Sequence, residues 1–197
     1  MGRIVVTEFV SVDGVMEAPG PDGSGFKHEG WTFNIGTGEE GNKFKLDETM
    51  ASEAQLLGRV TYQAFASAWP SVKDEFGDKF KSMPKYVVSS TLEKAEWNNS
   101  TVLRGDVLKE VSKLKQTLDG DIVVHGSAQL VQTLLANDLV DELRLMVYPV
   151  VLGSGKRLFG DSSDLKRLRL KDSRTVGDGV LILIYEPAGR EATKAPA

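Results

Sequence analysis

IVVHGSAQLVQTLL, residues 122–135, decides how this chain folds. The β-branched run at its start suits a buried strand. His125 and Gly126 end that run, and residues 127–135 read as a helix. Strand, glycine turn and helix together form the unit from which parallel sheets are built. In open α/β sheets ligands bind beyond the carboxyl ends of the strands. The unpaired N–H groups of a first helical turn also attract anions. Gly126, Ser127, Ala128 and Gln129 are therefore a candidate phosphate cradle. A plain tight turn explains the same residues, because one glycine is far less specific than a full GxGxxG. His125, one of two histidines, reads either as a proton-transfer group or as a strand-end side chain beside whatever the turn holds.

The rest of the chain repeats the alternation. Residues 3–10, 55–57, 85–89, 121–124, 143–151 and 181–185 read as strands. Residues 43–54 and 61–68 read as helices, and so does the segment opened by Asp106, a plausible N-cap. Strands alternating with helices predict an α/β fold with a mostly parallel sheet. The last strands lack long helices between them, which predicts an antiparallel C-terminal edge. Residues 17–38 are rich in Gly, Pro and Asp and read as a long loop, the kind that covers ligands. His28 falls in it and is expected to be solvent-exposed. One domain over residues 1–187 and a disordered tail over 188–197 are expected.

Composition narrows the classes of function. The net charge is −4 and the chain has no cysteine. The acidic balance gives nucleic-acid binding no electrostatic support. Without cysteine there are no disulfides, thiolate nucleophiles or thiolate metal sites, and no metal site is read. No window approaches the length of a membrane span, and no signal-peptide pattern opens the chain. A cytoplasmic protein without a nucleic-acid or membrane partner is expected.

Two further turns resemble the first. LLGRVTY (56–62) sets Gly58, Arg59 and Thr61 at a helix start, where arginine adds a bidentate phosphate donor. VVSSTL (87–92) crowds Ser89, Ser90 and Thr91 at a strand end. Each is singly an ordinary turn or cap. Three such strand ends suit an extended phosphorylated ligand such as a dinucleotide.

With SVDG (11–14) and DELRLMVYPVVLGSGKRLF (141–159), these motifs in this order resemble the dihydrofolate-reductase-like superfamily. They are most similar to the C-terminal reductase domain of the bifunctional riboflavin-biosynthesis deaminase-reductase, the RibD C-terminal domain family. The resemblance spans about residues 3–186. It implies a dihydrofolate-reductase-like three-layer fold and an NADPH-dependent reductase. Gly58, Arg59 and Thr61 would hold the cofactor's phosphates. Ser89, Ser90 and Thr91 would lie near the adenosine ribose and its 2′-phosphate. Gly126, Ser127, Ala128 and Gln129 would hold the pyrophosphate, with His125 beside them. Val10, Ser11 and Met16 would lie by the nicotinamide. His125 stands where the family usually has a glycine, at a bond that is cis in some relatives.

The substrate end carries fewer signals. Asp13 is the polar residue best placed near the nicotinamide and is the candidate catalytic group, although Asp-Gly is also a turn signal. The carboxylates Asp47, Glu48 and Glu53 read as a solvated helix face. Trp31, Phe65 and Trp69 are candidates for a flat apolar cleft around a small heterocyclic, pterin-like or pyrimidine-like substrate. A nucleotide- or flavin-binding module without turnover is the alternative on the same fold. The resemblance also implies a homodimer, with residues 141–153 as candidate interface or buried core.

Overall fold

The structure, a computed structural model, describes residues 1–160 and 165–188. The expected disordered tail lies, from residue 189 on, outside the described residues. The chain runs β1 (Arg3–Ser11), α1 (Gly38–Ala51), β2 (Ser52–Gly58), α2 (Arg59–Ala68), α3 (Glu75–Ser82), β3 (Lys85–Val88) and β4 (Ser100–Leu103). It continues through α4 (Val107–Thr117), β5 (Asp121–Val124), α5 (Ala128–Ala136), β6 (Glu142–Tyr148), β7 (Leu168–Val176) and β8 (Val180–Pro187). One eight-stranded sheet has the order β4-β3-β2-β5-β1-β6-β8-β7. The strands from β4 to β6 pair in parallel, and β8 and β7 add an antiparallel edge. This is the expected dihydrofolate-reductase-like α/β architecture.

The hydrophobic pattern explains the layers. Strands covered on both faces read as continuous apolar runs, and Ile4, Val5 and Val6 of β1 are all buried. On one face Ile4, Val6, Ile122 and Val124 pack with Val111 and Leu114 of α4 and with Leu130 and Leu134 of α5. Two smaller clusters cover the other face. One holds Trp31, Met146, Tyr148 and Ile182; the other holds Leu57, Tyr62, Phe80, Val87 and Trp97. Each fully buried aliphatic or aromatic side chain of this size contributes roughly 1.5–3 kcal/mol. Asp106 caps α4 as expected, accepting from the Leu108 and Lys109 N–H groups.

Some boundaries differ from the sequence reading. The helix expected over 43–54 ends at Ala51, and β2 begins at Ser52. The hydroxyl of Ser52 donates to the Glu48 carbonyl and closes the helix there. The strand expected over 143–151 stops at Tyr148, because Pro149 has no N–H to extend the ladder. Leu143, Leu145, Met146 and Tyr148 of β6 are buried within the chain's own core. No cis peptide bond occurs among the described residues, the His125–Gly126 bond included. Since β1, β2, β3 and β5 are all parallel, their carboxyl ends open on one edge of the sheet.

Candidate functional site: a cradle of strand ends

Two of the strand-end turns interlock. The Gly58 N–H donates to Ser127 Oγ at 2.9 Å. The Ser127 N–H donates to Thr61 Oγ1 at 3.0 Å, and the Ser127 hydroxyl donates to the His125 carbonyl at 3.1 Å. From beneath, Glu8 Oε2 accepts the Gly126 N–H at 3.0 Å. Gly126 and Ser127 are both left-handed, with φ of +57° and +59°. A Cβ on Gly126 would stand 2.9 Å from Thr61 Oγ1. The glycine is thus required by the chain's own packing.

That arrangement changes which groups face a ligand. The Gly126 and Ser127 N–H groups, expected to hold a pyrophosphate, point instead at Glu8 and Thr61. The first N–H groups of a helix have no intrahelical acceptor. Those of Ala128 and Gln129 in α5, and of Arg59 and Val60 in α2, therefore remain as anion donors. The exposed guanidinium of Arg59 adds to them, held by Gln63 Oε1 at 3.1 Å.

At the third strand end, Ser89 Oγ accepts from the Thr91 N–H at 3.2 Å and the Leu92 N–H at 2.9 Å. The Ser89 hydroxyl thus shapes the turn and leaves Ser90 and Thr91 exposed. Arg104, which the sequence reading missed, stands beside this turn. Its Nη2 donates to the Leu92 and Glu93 carbonyls at 2.6 and 2.9 Å, and the Ser89 N–H bonds to the Leu103 carbonyl at 3.3 Å. The available signal was a lone arginine ahead of Gly105, a weak one without β4 to place it.

At the end of β1, Val10 and Met16 are core residues. Ser11 donates from its hydroxyl to Asp13 Oδ1 at 2.6 Å and accepts from the Val15 N–H at 2.9 Å. Asp13 also accepts from the Leu152 N–H at 3.1 Å and the Gly153 N–H at 2.8 Å. The Ser11 hydroxyl first, with these backbone donors, holds its carboxyl down at about 2. Asp13 is thus an acceptor that ties the β1 turn to residues 152–153.

His125 belongs to an aromatic cluster. Its ring centroid lies 5.4 Å from Phe80 and 6.2 Å from Phe65. Trp69 stacks on Phe80 at 4.3 Å and meets Phe65 edge-on at 5.9 Å. The His125 Nδ1 is buried without a partner. Burial above all, and then the Lys45 charge, keep the ring well below the usual histidine range, hence neutral. Trp31 packs elsewhere, edge-on to Tyr148 at 5.4 Å with its indole donating to the Glu17 carbonyl. The expected cleft of Trp31, Phe65 and Trp69 is thus not formed, because Trp31 and the other two serve different cores. His28 is half-buried against Phe26 rather than exposed.

The expected carboxylate face divides three ways. Asp47 pairs with Lys43 at 2.6 Å on the surface. Glu48 is buried, accepting from Thr7 Oγ1 at 2.8 Å and pairing with Lys45. Glu53 lies on β2 and accepts from the Asp119 and Gly120 N–H groups. Among the described residues no group of three or more His, Asp or Glu side chains could hold a metal ion. No helix there is long and apolar enough to cross a membrane.

Residues 3–182 match the RibD C-terminal domain family. The uncharacterized Bacillus subtilis protein YyaP is 35% identical over 135 residues, covering 66% of this chain and 71% of its own. A Shewanella sp. PV-4 protein, solved as a candidate riboflavin biosynthesis protein, aligns with a TM-score of 0.75 at 18% identity, covering 94% of this chain and 98% of its own. A pyrimidine reductase-like protein from Corynebacterium diphtheriae aligns with a TM-score of 0.64 at 14% identity, covering 94% and 91%.

Proposed function

The chain belongs to the RibD C-terminal domain family, and from that premise we propose that it is an NADPH-dependent reductase of a small heterocyclic, pterin-like or pyrimidine-like compound, working in the cytoplasm. The carrying observation is the pair of locked helix starts, Arg59 of α2 and Ala128 of α5, joined through Gly58, Thr61 and Ser127. Locked donors lose little freedom on binding, and that preorganisation favours affinity.

The residues present fit a dinucleotide. The α5 start offers N–H groups to a pyrophosphate, and the α2 start adds the Arg59 guanidinium. Arg104 and the exposed Ser90 and Thr91 suit a ribose 2′-phosphate. Val10, Ser11 and Met16 would wall the nicotinamide end. A reduced nicotinamide supplies a hydride when bound. Asp13 keeps the β1 turn in place for it, and residues 17–38 would limit water at the substrate.

The test is calorimetric titration with NADPH, NADH and FMN, followed by a substrate screen that monitors NADPH oxidation. NADPH should bind more tightly than NADH. Tight FMN binding without NADPH binding would instead support a flavin-binding module on this fold.

A further inference from the structure

Glu8 lies under the His125–Gly126–Ser127 turn, and the dinucleotide reading gives it no part. Its side chain is buried. Oε2 accepts the Gly126 N–H at 3.0 Å, while Oε1 is buried with no partner. A carboxylate in that setting leaves an ionic oxygen desolvated and unpaired, which is costly. A carboxylic acid keeps the same bond to Gly126 with its proton on the other oxygen.

We propose that Glu8 is a positioning residue that couples the Gly126 turn to a proton: a diphosphate seated on the α5 start makes its carboxyl hold the proton more tightly, so that in the pH range where the empty site's carboxyl ionises, binding draws up to one proton from solvent and release returns it. The proposal rests on the dinucleotide reading above. A diphosphate brings negative charge to the far side of the turn from Glu8. Repulsion between like charges is only weakly screened across buried protein, so the ligand favours the uncharged acid. By reciprocity the acid form binds the ligand more tightly.

The surroundings leave room for that titration. Burial is the largest influence and raises Glu8 well above the ordinary carboxylate range, whereas the Gly126 bond and Lys45 lower it and Glu48 raises it. Lys45 and Glu48 come from α1 and pair with each other. Arg144 of β6 stands behind Glu48 at 3.7 Å, and His125 at the end of β5 is neutral. The sequence of α5, AQLVQTLLA, carries no charge.

NADPH binding to the wild type and to Glu8→Gln, measured calorimetrically in buffers of different ionisation enthalpy, tests this. Both proteins meet the same 2′-phosphate, so its own titration cancels. The wild type should take up more protons per NADPH than the variant. Its Kd should rise with pH relative to that of Glu8→Gln by up to about tenfold per pH unit, the limit for one proton. A purely structural Glu8 would change the melting temperature and leave the proton count alone. Equal proton counts and parallel pH curves in two proteins that both bind would overturn the coupling and spare the dinucleotide reading. A folded wild type that binds no NADPH overturns both, and shows it before any variant is made. Should Glu8→Gln not fold, the 13C resonance of the Glu8 carboxyl in the wild type decides. Its titration must move to higher pH on saturation with NADPH, and an unmoved titration overturns the proposal.

Discussion

Thr61 Oγ1 accepts the Ser127 N–H at 3.0 Å and stands 2.9 Å from where a Cβ on Gly126 would lie. Gly126→Ala should therefore destabilise the apoprotein, by roughly 2–4 kcal/mol from left-handed strain and overpacking together. Urea unfolding without ligand measures it. Adding Thr61→Ala removes the obstructing atoms, so the double variant should lose less than the sum of the single losses. Strict additivity would mean that the two turns are not packed as described.

Arg104 stands beside the Ser89 turn, where its Nη2 donates to the Leu92 and Glu93 carbonyls. Replacing it with alanine should cut the preference for NADPH over NADH by at least about tenfold, since a hydrogen bond to a charged group contributes about 1.5–3 kcal/mol. NADH affinity should hardly change. The wild-type preference should shrink in high salt. A preference that survives Arg104→Ala unchanged takes Arg104 out of the 2′-phosphate site.

Asp13 is held at about 2 against an ordinary 3.8, so its folded-state pKa is depressed. Its contribution to stability is present above pH 3.8 and is lost as the pH falls through about 2. Asp13→Asn should then lower turnover by loosening residues 152–153 while leaving the shape of the pH–rate profile between pH 5 and 9 unaltered. A limb of that profile that disappears in the variant would give Asp13 a proton-transfer role.

Lys85 is buried with its ammonium donating to the Lys81, Met83 and Asn98 carbonyls at 3.2, 2.8 and 3.2 Å. The same group lies 4.2 Å from the centre of the Trp97 ring. Burial lowers it from 10.5 to about 8. Between those values the unfolded chain binds more protons than the folded one, so this group should make stability rise as pH rises from 8 to 10.5. Urea unfolding across that window should show the slope in the wild type and a flatter one in Lys85→Met.

Residues 17–38 are anchored unevenly. Trp31 is buried and bonds to the Glu17 carbonyl, and Thr32 bonds to the Pro19 carbonyl at 2.7 Å. Residues 21–25 are exposed. Hydrogen exchange in the apoprotein should be slow over residues 30–35 and fast over 21–25, with only the fast part slowed by NADPH and substrate analogues. Uniformly fast exchange over 17–38 would show that Trp31 does not pin the loop.

Elements with strong one-dimensional patterns were legible in the sequence. The apolar runs of β1 and β5 and the Asp106 cap of α4 each announce themselves within a few residues. β4 and β7 did not, because edge strands pack fewer faces and carry polar sequences, STVL and LRLKDSRTV. α3 escaped for a similar reason, since EFGDKFKS offers only Phe76 and Phe80 as apolar contacts. At the site, the glycine turns were visible while their interlock was not. The Gly58–Ser127 and Thr61–Ser127 bonds join residues 69 and 66 positions apart, and no local pattern encodes such a pairing. Glu8 was hidden in the same way, as the one acid of RIVVTEFVS.

The central place of β1 has a consequence for synthesis of the chain. It sits between β5 and β6, and its Glu8 bonds to Gly126, 118 positions later. On the ribosome this apolar strand emerges well before either neighbour exists. At about 5–20 residues per second, it waits several seconds or more with both edges open. Pairing so distant in sequence is also slow to form once the partners arrive. The nascent chain should therefore depend on early chaperone contact with residues 3–11, and fragments that stop short of β5 should aggregate rather than fold.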